Sequence, residues 1–60
     1  MGPQELRKQR IQAITERLLA DMINRGEVNP DNDEDIRRGA RECAQMAMAT
    51  VNAVDELLCG

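Results

Sequence analysis

The chain has 60 residues, a net charge of −3, and no His, Phe, Tyr or Trp. A chain this short buries a modest fraction of its surface, so it usually needs a metal, disulfides or a second chain for stability. Ordering it costs about 90 kcal/mol of conformational entropy, at about 1.5 kcal/mol per residue. The lack of His nearly excludes a metal site, and the lack of aromatic side chains makes a stable monomer harder to build.

The two cysteines cannot join to each other in the fold that we predict. Cys43 and Cys59 lie 16 residues apart in one predicted helix, which separates them by roughly 24 Å. Bridged cysteines require Cα atoms within about 7 Å. We therefore expect reduced thiols, and oligomerisation as the remaining means of stabilisation. No apolar run approaches the roughly 20 residues of a membrane span, and no signal-peptide pattern opens the chain, so we predict a cytoplasmic protein.

Two periodic segments flank one polar break, and the sequence predicts a single domain over residues 1–60. The first helix is expected at about residues 3–25, because Pro3 suits a first helical turn and Gly26 suits the left-handed position after a last turn. Residues 26–32 form the predicted loop. The second helix is expected at about residues 33–58, with Asn32 and Asp35 as a weak capping box.

Each helix carries one apolar stripe. In the second helix the stripe residues are separated by steps of four and three, the spacing of an antiparallel bundle seam. Its residues are small near the turn and larger toward the C-terminus, so the helices should converge in the middle and spread at one end. The residues expected in the core or at a dimer interface are Ile11, Ile14, Leu18, Met22, Ile36, Ala40, Cys43, Ala47, Val51, Val54 and Leu58.

These features predict an all-α fold, an antiparallel two-helix hairpin that dimerises into a four-helix bundle. The short loop favours antiparallel packing, and a lone pair of helices would cover only half of each stripe. The expected architecture is similar to that of the Rop family of small plasmid RNA-binding proteins, although no sequence motif is shared. Antiparallel packing should also bring Arg7, Lys8 and Arg10 near Asp55 and Glu56.

The sequence gives little support for an enzyme active site or a metal-binding site. Asp31, Asp33, Asp35 and Glu42 match four positions of a calcium-binding EF-hand loop. However, Ile36 stands where that loop needs Gly for its sharp turn, so an acidic helix start is the better interpretation. Without His or a recognisable cleft we predict no enzyme, no metal, no cofactor and no small-molecule substrate.

The leading functional hypothesis is a non-enzymatic protein–protein interaction module, a small homodimeric hairpin acting as adaptor, inhibitor or regulator. One alternative is a Rop-like RNA-binding regulator that uses a polar edge of the first helix. Arg10, Arg17 and Asn24 recur every seven residues there, with Arg7 nearby, and could contact phosphates. Another alternative is a small helical subunit that docks onto a larger complex.

Overall fold

The computed structural model describes residues 2–59, with side chains through residue 58, and shows two helices that pack against each other. Helix α1 comprises Pro3–Asn24 and helix α2 comprises Asp33–Cys59. Hydrogen bonds and ion pairs join the start of α1 to the end of α2, so the helices run antiparallel. The predicted all-α hairpin is confirmed.

Helix α1 ends in a glycine-dependent cap. Gly26 has a φ of +79°, the left-handed conformation that a side chain disfavours. Its N–H donates to the carbonyl of Ile23 at 3.1 Å, and the N–H of Glu27 donates to the carbonyl of Met22 at 2.9 Å. This pair of bonds is a Schellman motif, which satisfies carbonyls that the helix leaves unpaired. The left-handed role predicted for Gly26 is confirmed.

Helix α2 begins at a side-chain cap from Asn32. Its Oδ1 accepts from the backbone N–H groups of Glu34 at 3.0 Å and Asp35 at 3.2 Å. The second half of the predicted capping box is wrong, because the Asp35 carboxylate accepts from the N–H of Asn29 at 2.6 Å instead. The N–H of Asn32, which a capping box would pair with Asp35, donates to the Asn29 carbonyl at 3.2 Å instead.

The apolar core of the described residues is small. It consists of Val28 in the loop and Cys43, Ala47 and Val51 in α2. Helix α1 contributes no fully buried residue, and the side chains that it turns toward α2 remain half-buried. Most of the apolar surface of α1 is therefore only partly removed from water.

The hairpin is a single layer of helices. Its principal dimensions are 40 × 23 × 14 Å, and the smallest is little more than the thickness of one helix, about 10–12 Å. Domains are generally built from at least two packed layers that share a core. A second layer is therefore the element that this architecture lacks.

Candidate interaction surface

The largest exposed apolar side chains gather at one end of the hairpin. We call residues 3–10 and 51–58 the open end, and residues 21–42 the turn end. Leu57 is 85% exposed, Leu58 81% and Leu6 50%, and Val54 is also exposed at this end. Exposed apolar side chains that concentrate in one region mark an interaction site more often than isolated exposed residues do. Met46 and Met48, near the middle of α2, are exposed as well.

The exposure of Val54 and Leu58 follows from the spacing of the buried row. Residues 39, 43, 47 and 51 of α2 are buried, at steps of four. Continuing that row leads to Asp55, which is half-buried, rather than to Val54 or Leu58. A row of fours drifts around a helix relative to a seam of alternating fours and threes. The contact between the two helices therefore follows this one row of α2, and Val54 and Leu58, which lie off the row, stay on the surface.

The residues predicted for the core or dimer interface fall into three groups. Cys43, Ala47 and Val51 are buried, whereas Val54 and Leu58 are exposed. The others are half-buried: Ile11, Ile14, Leu18, Met22, Ile36 and Ala40. Half-burial at six apolar positions leaves surface that a second chain can cover.

Two of the four predicted nucleic-acid-binding residues contact α2 instead of facing solvent freely. The Arg7 guanidinium donates to Asn52 Oδ1 at 2.5 Å and lies 3.8 Å from Asp55 Oδ2. The Arg10 guanidinium lies 3.0 Å from Asp55 Oδ1. The expected pairing of these arginines with Asp55 is confirmed, and it offsets part of the positive charge that a phosphate would need.

Arg17 and Asn24 lie elsewhere on the exposed surface of α1. Within residues 2–58 the guanidinium of Arg17 makes no ion pair. Asn24 is the last residue of the helix. The structure therefore separates the predicted polar edge into a pair of arginines held by Asp55 and two exposed residues farther along the helix.

The acidic start of α2 is organised around Asp35. Its Oδ1 accepts from Arg38 at 2.8 Å, and Arg38 also lies 3.6 Å from Glu42. The N–H of Asn29, followed by the Arg38 guanidinium, lowers the pKa of Asp35. The pKa of Arg38 is raised, chiefly by its hydrogen bond to Asp35. Two candidate calcium ligands, Asp35 and Glu42, thus pair with an arginine, and no metal-binding cluster forms among residues 2–58.

Cys43 lies at the centre of the hairpin contact. Its side chain is fully buried, and its thiol donates to Met22 Sδ at 3.3 Å. Burial raises the pKa of the thiol, and the neighbouring Glu42 raises it further. A thiol in this setting is a packing group rather than a nucleophile. The side chain of Cys59 lies outside the described residues.

The sequence interpretation missed the loop residue that completes the core. Val28 is 1% exposed, although it lies in the polar break. It is the only aliphatic side chain between Gly26 and Asp33, which was the available signal. Leu6 and Leu57, both exposed at the open end, are also absent from the predicted interface.

Comparison of the chain with protein-family models, with curated proteins and with solved structures finds no match to any of the three. Neither described helix combines the length and apolar character that crossing a membrane requires. The surface formed by the described part of the chain holds no pocket.

Proposed function

We propose that the chain is a non-enzymatic protein–protein interaction module that works as a homodimer of hairpins, arranged as a four-helix bundle. The observation that carries this proposal is the exposure of Leu57 and Leu58 on a hairpin only one layer thick. Exposed leucines stabilise nothing in the single chain. Against a second hairpin they would contribute to a shared core.

The surface area supports a partner of this size. The hairpin exposes 4787 Å², whereas a compact monomer of 6.7 kDa exposes about 3,900 Å². The excess of about 900 Å² is close to the roughly 800 Å² that each partner buries in a standard protein–protein interface. One additional hairpin therefore suffices to restore an ordinary ratio of surface to mass.

The outer faces of the dimer would then recognise a further protein, as an adaptor, inhibitor or regulator in the cytoplasm. The acidic segment from Asp31 to Asp35 is the most distinctive of these faces, because four of its five residues carry carboxylates. In the related hypothesis of a subunit in a larger complex, the open end would meet helices of another protein. An RNA-binding regulator has less support, since Asp55 already engages Arg7 and Arg10.

Sedimentation equilibrium over a wide concentration range tests the homodimer. Refractive-index detection is needed, because the chain has no Trp or Tyr. We expect a dimer for the wild type, and at least about tenfold weaker association for the Leu57→Gln/Leu58→Gln variant, whose buried apolar area is reduced. Gln has a helix propensity close to that of Leu, so the substitutions leave the intrinsic helix preference of α2 nearly unchanged.

The matched control is Ala20→Gln, which adds the same side chain at an exposed position of α1 away from the open end. It should associate like the wild type. A wild type that remains monomeric at every concentration while keeping its helices would overturn the proposal. Unchanged association of the double variant would show that the leucines are not at the interface.

A further inference from the structure

We propose that the two hairpins lie side by side in the same direction, with their open ends together and their turn ends together. This inference rests on the proposed homodimer and specifies its orientation. It would place Leu6, Val54, Leu57 and Leu58 of one copy next to the same residues of the other. The alternative, in which each open end lies beside the turn end of its partner, places these side chains against a different surface.

The distribution of exposed apolar side chains along the hairpin favours the first arrangement. Of the six large apolar residues that are exposed within the described chain, four lie at the open end and none lies between residues 7 and 45. The turn end has already covered its own loop valine, since Val28 is 1% exposed. A leucine from a partner would find no exposed large apolar side chain there.

Polar groups cover the turn end instead. The chain is exposed without interruption from Asn24 to Glu27 and from Asn29 to Glu34, and every residue in those two stretches other than Gly26 and Pro30 is polar or charged. Burying these groups against leucines would remove their water without supplying hydrogen-bond partners, which is unfavourable. At the open end, the leucines of one copy instead meet the identical leucines of the other, so both surfaces that become buried are apolar.

Electrostatic repulsion between the turn ends opposes the same-direction arrangement, but more weakly than apolar burial favours it. Residues 21–42 carry four basic and seven acidic groups, a net charge of −3, whereas the open end has three of each. Two turn ends side by side therefore repel. Because these groups are largely exposed, salt screens their interaction beyond roughly 8 Å at physiological ionic strength. Apolar burial at the open end is not screened, so it decides the orientation.

The thin dimension of the hairpin explains why the copies lie side by side rather than end to end. A second layer across the 14 Å dimension would also cover part of the apolar surface that the hairpin leaves half-buried. A twofold axis along the length of the hairpins relates the copies and closes the assembly at two. The interface therefore buries one face of each copy and leaves the polar loops at the turn ends accessible to solvent.

Double electron–electron resonance between spin labels measures the orientation. Single cysteines are introduced by Ala53→Cys at the open end or Arg37→Cys at the turn end, both exposed positions, in a Cys59→Ser background. Buried Cys43 should take up no label, which the unsubstituted background verifies. Positions 37 and 53 are about 24 Å apart along the axis of α2, at about 1.5 Å per residue.

Same-direction packing predicts short distances between identical positions, 53 to 53 and 37 to 37, and a longer distance in a mixed sample of the two variants, because positions 37 and 53 are also offset along the helix axis. The reverse pattern, with the mixed sample giving the shortest distance, would overturn the orientation but retain the dimer. Dipolar coupling absent from all three samples would reject the homodimer itself. Circular dichroism of each labelled variant confirms that the helices are intact.

Discussion

Val28 fills the space that a side chain on Gly39 would need. A Cβ placed on Gly39 would lie 2.7 Å from Val28 Cγ2 and 3.1 Å from Leu19 Cδ1. The loop, the end of α1 and the start of α2 therefore meet at a position without a side chain. This close approach agrees with the small residues that the sequence places near the turn.

The first prediction concerns this contact. In an open helix, Gly→Ala would stabilise by about 1 kcal/mol, but at position 39 we expect Gly39→Ala to destabilise by about 1 kcal/mol. The β-branched Val28 has little rotamer freedom with which to move away, and overpacking costs about 1–3 kcal/mol. Urea denaturation followed by circular dichroism, at one fixed protein concentration, measures the change.

The control for Gly39→Ala is a double-mutant cycle. Val28→Ala alone should cost about 2 kcal/mol, because it removes two buried carbon groups. Combining it with Gly39→Ala places a new methyl group in the space that Val28 leaves. We expect the double variant to be more stable than the sum of the two single changes implies. Strict additivity would show that Val28 does not restrict Gly39.

The second prediction concerns the reactivity of Cys43. Ellman's reagent should modify this thiol in the folded Cys59→Ser variant on the order of 100-fold more slowly than in the same variant unfolded in urea. Burial excludes the reagent, and the raised pKa of the thiol lowers the thiolate fraction. Rapid modification of the folded protein at pH 8 would mean that the contact between Cys43 and Met22 opens freely.

The third prediction is a dependence of stability on acidic pH. The folded pKa of Asp35 is lowered by the Asn29 N–H and by Arg38, relative to about 3.9 in an unfolded chain. Its contribution to stability is therefore complete above about pH 4 and is lost as the pH falls through the folded value. The melting temperature of Asp35→Asn should consequently fall less between pH 5 and pH 2 than that of the wild type.

Glu34→Gln is the matched control for Asp35→Asn. Among the described residues the Glu34 side chain makes no ion pair, yet it occupies the same first turn of α2. It should show the same fall in melting temperature with acid as the wild type. An equal reduction of that fall in both variants would assign the effect to the helix dipole rather than to the bonds of Asp35.

The fourth prediction concerns Asp55, which holds Arg7 and Arg10. Asp55→Asn should lower the free energy of unfolding by only about 0.5 kcal/mol, because exposed ion pairs contribute little. It should also remove the negative charge beside the guanidinium groups of Arg7 and Arg10, so any binding of structured RNA should strengthen, with a steeper salt dependence. If the wild type already binds RNA tightly and Arg17→Ala removes that binding, the RNA-regulator hypothesis would replace the interaction module.

Sequence periodicity was sufficient to predict the hairpin. Two of its features are local in the sequence: the polar break containing Gly26 and the cap at Asn32. The attraction between Arg10 and Asp55 depends only on the antiparallel order of the helices. Each follows from the identities of neighbouring residues, and each appears in the structure. The partial burial of the α1 stripe also follows from having only one helix to pack against.

Periodicity was not sufficient to determine which stripe residues meet within one chain. Val54 and Leu58 fit the seam of fours and threes, but the hairpin contact follows a row of fours that reaches Asp55 instead. Crossing geometry, which selects the row, depends on both helices and on the loop together. The burial of Val28 could not be predicted from its sequence neighbours either. It depends on the space that the missing side chain of Gly39 leaves open.

The absence of a fully buried residue in α1 has a consequence for how the protein behaves at different abundances. If much of the apolar surface is covered only in the dimer, association and folding share one equilibrium. Dilution then acts as a denaturant, and the folded fraction rises with the amount of chain present. A cell that made little of this protein would hold it mainly as a substrate for proteases, and a cell that made more would hold a stable assembly.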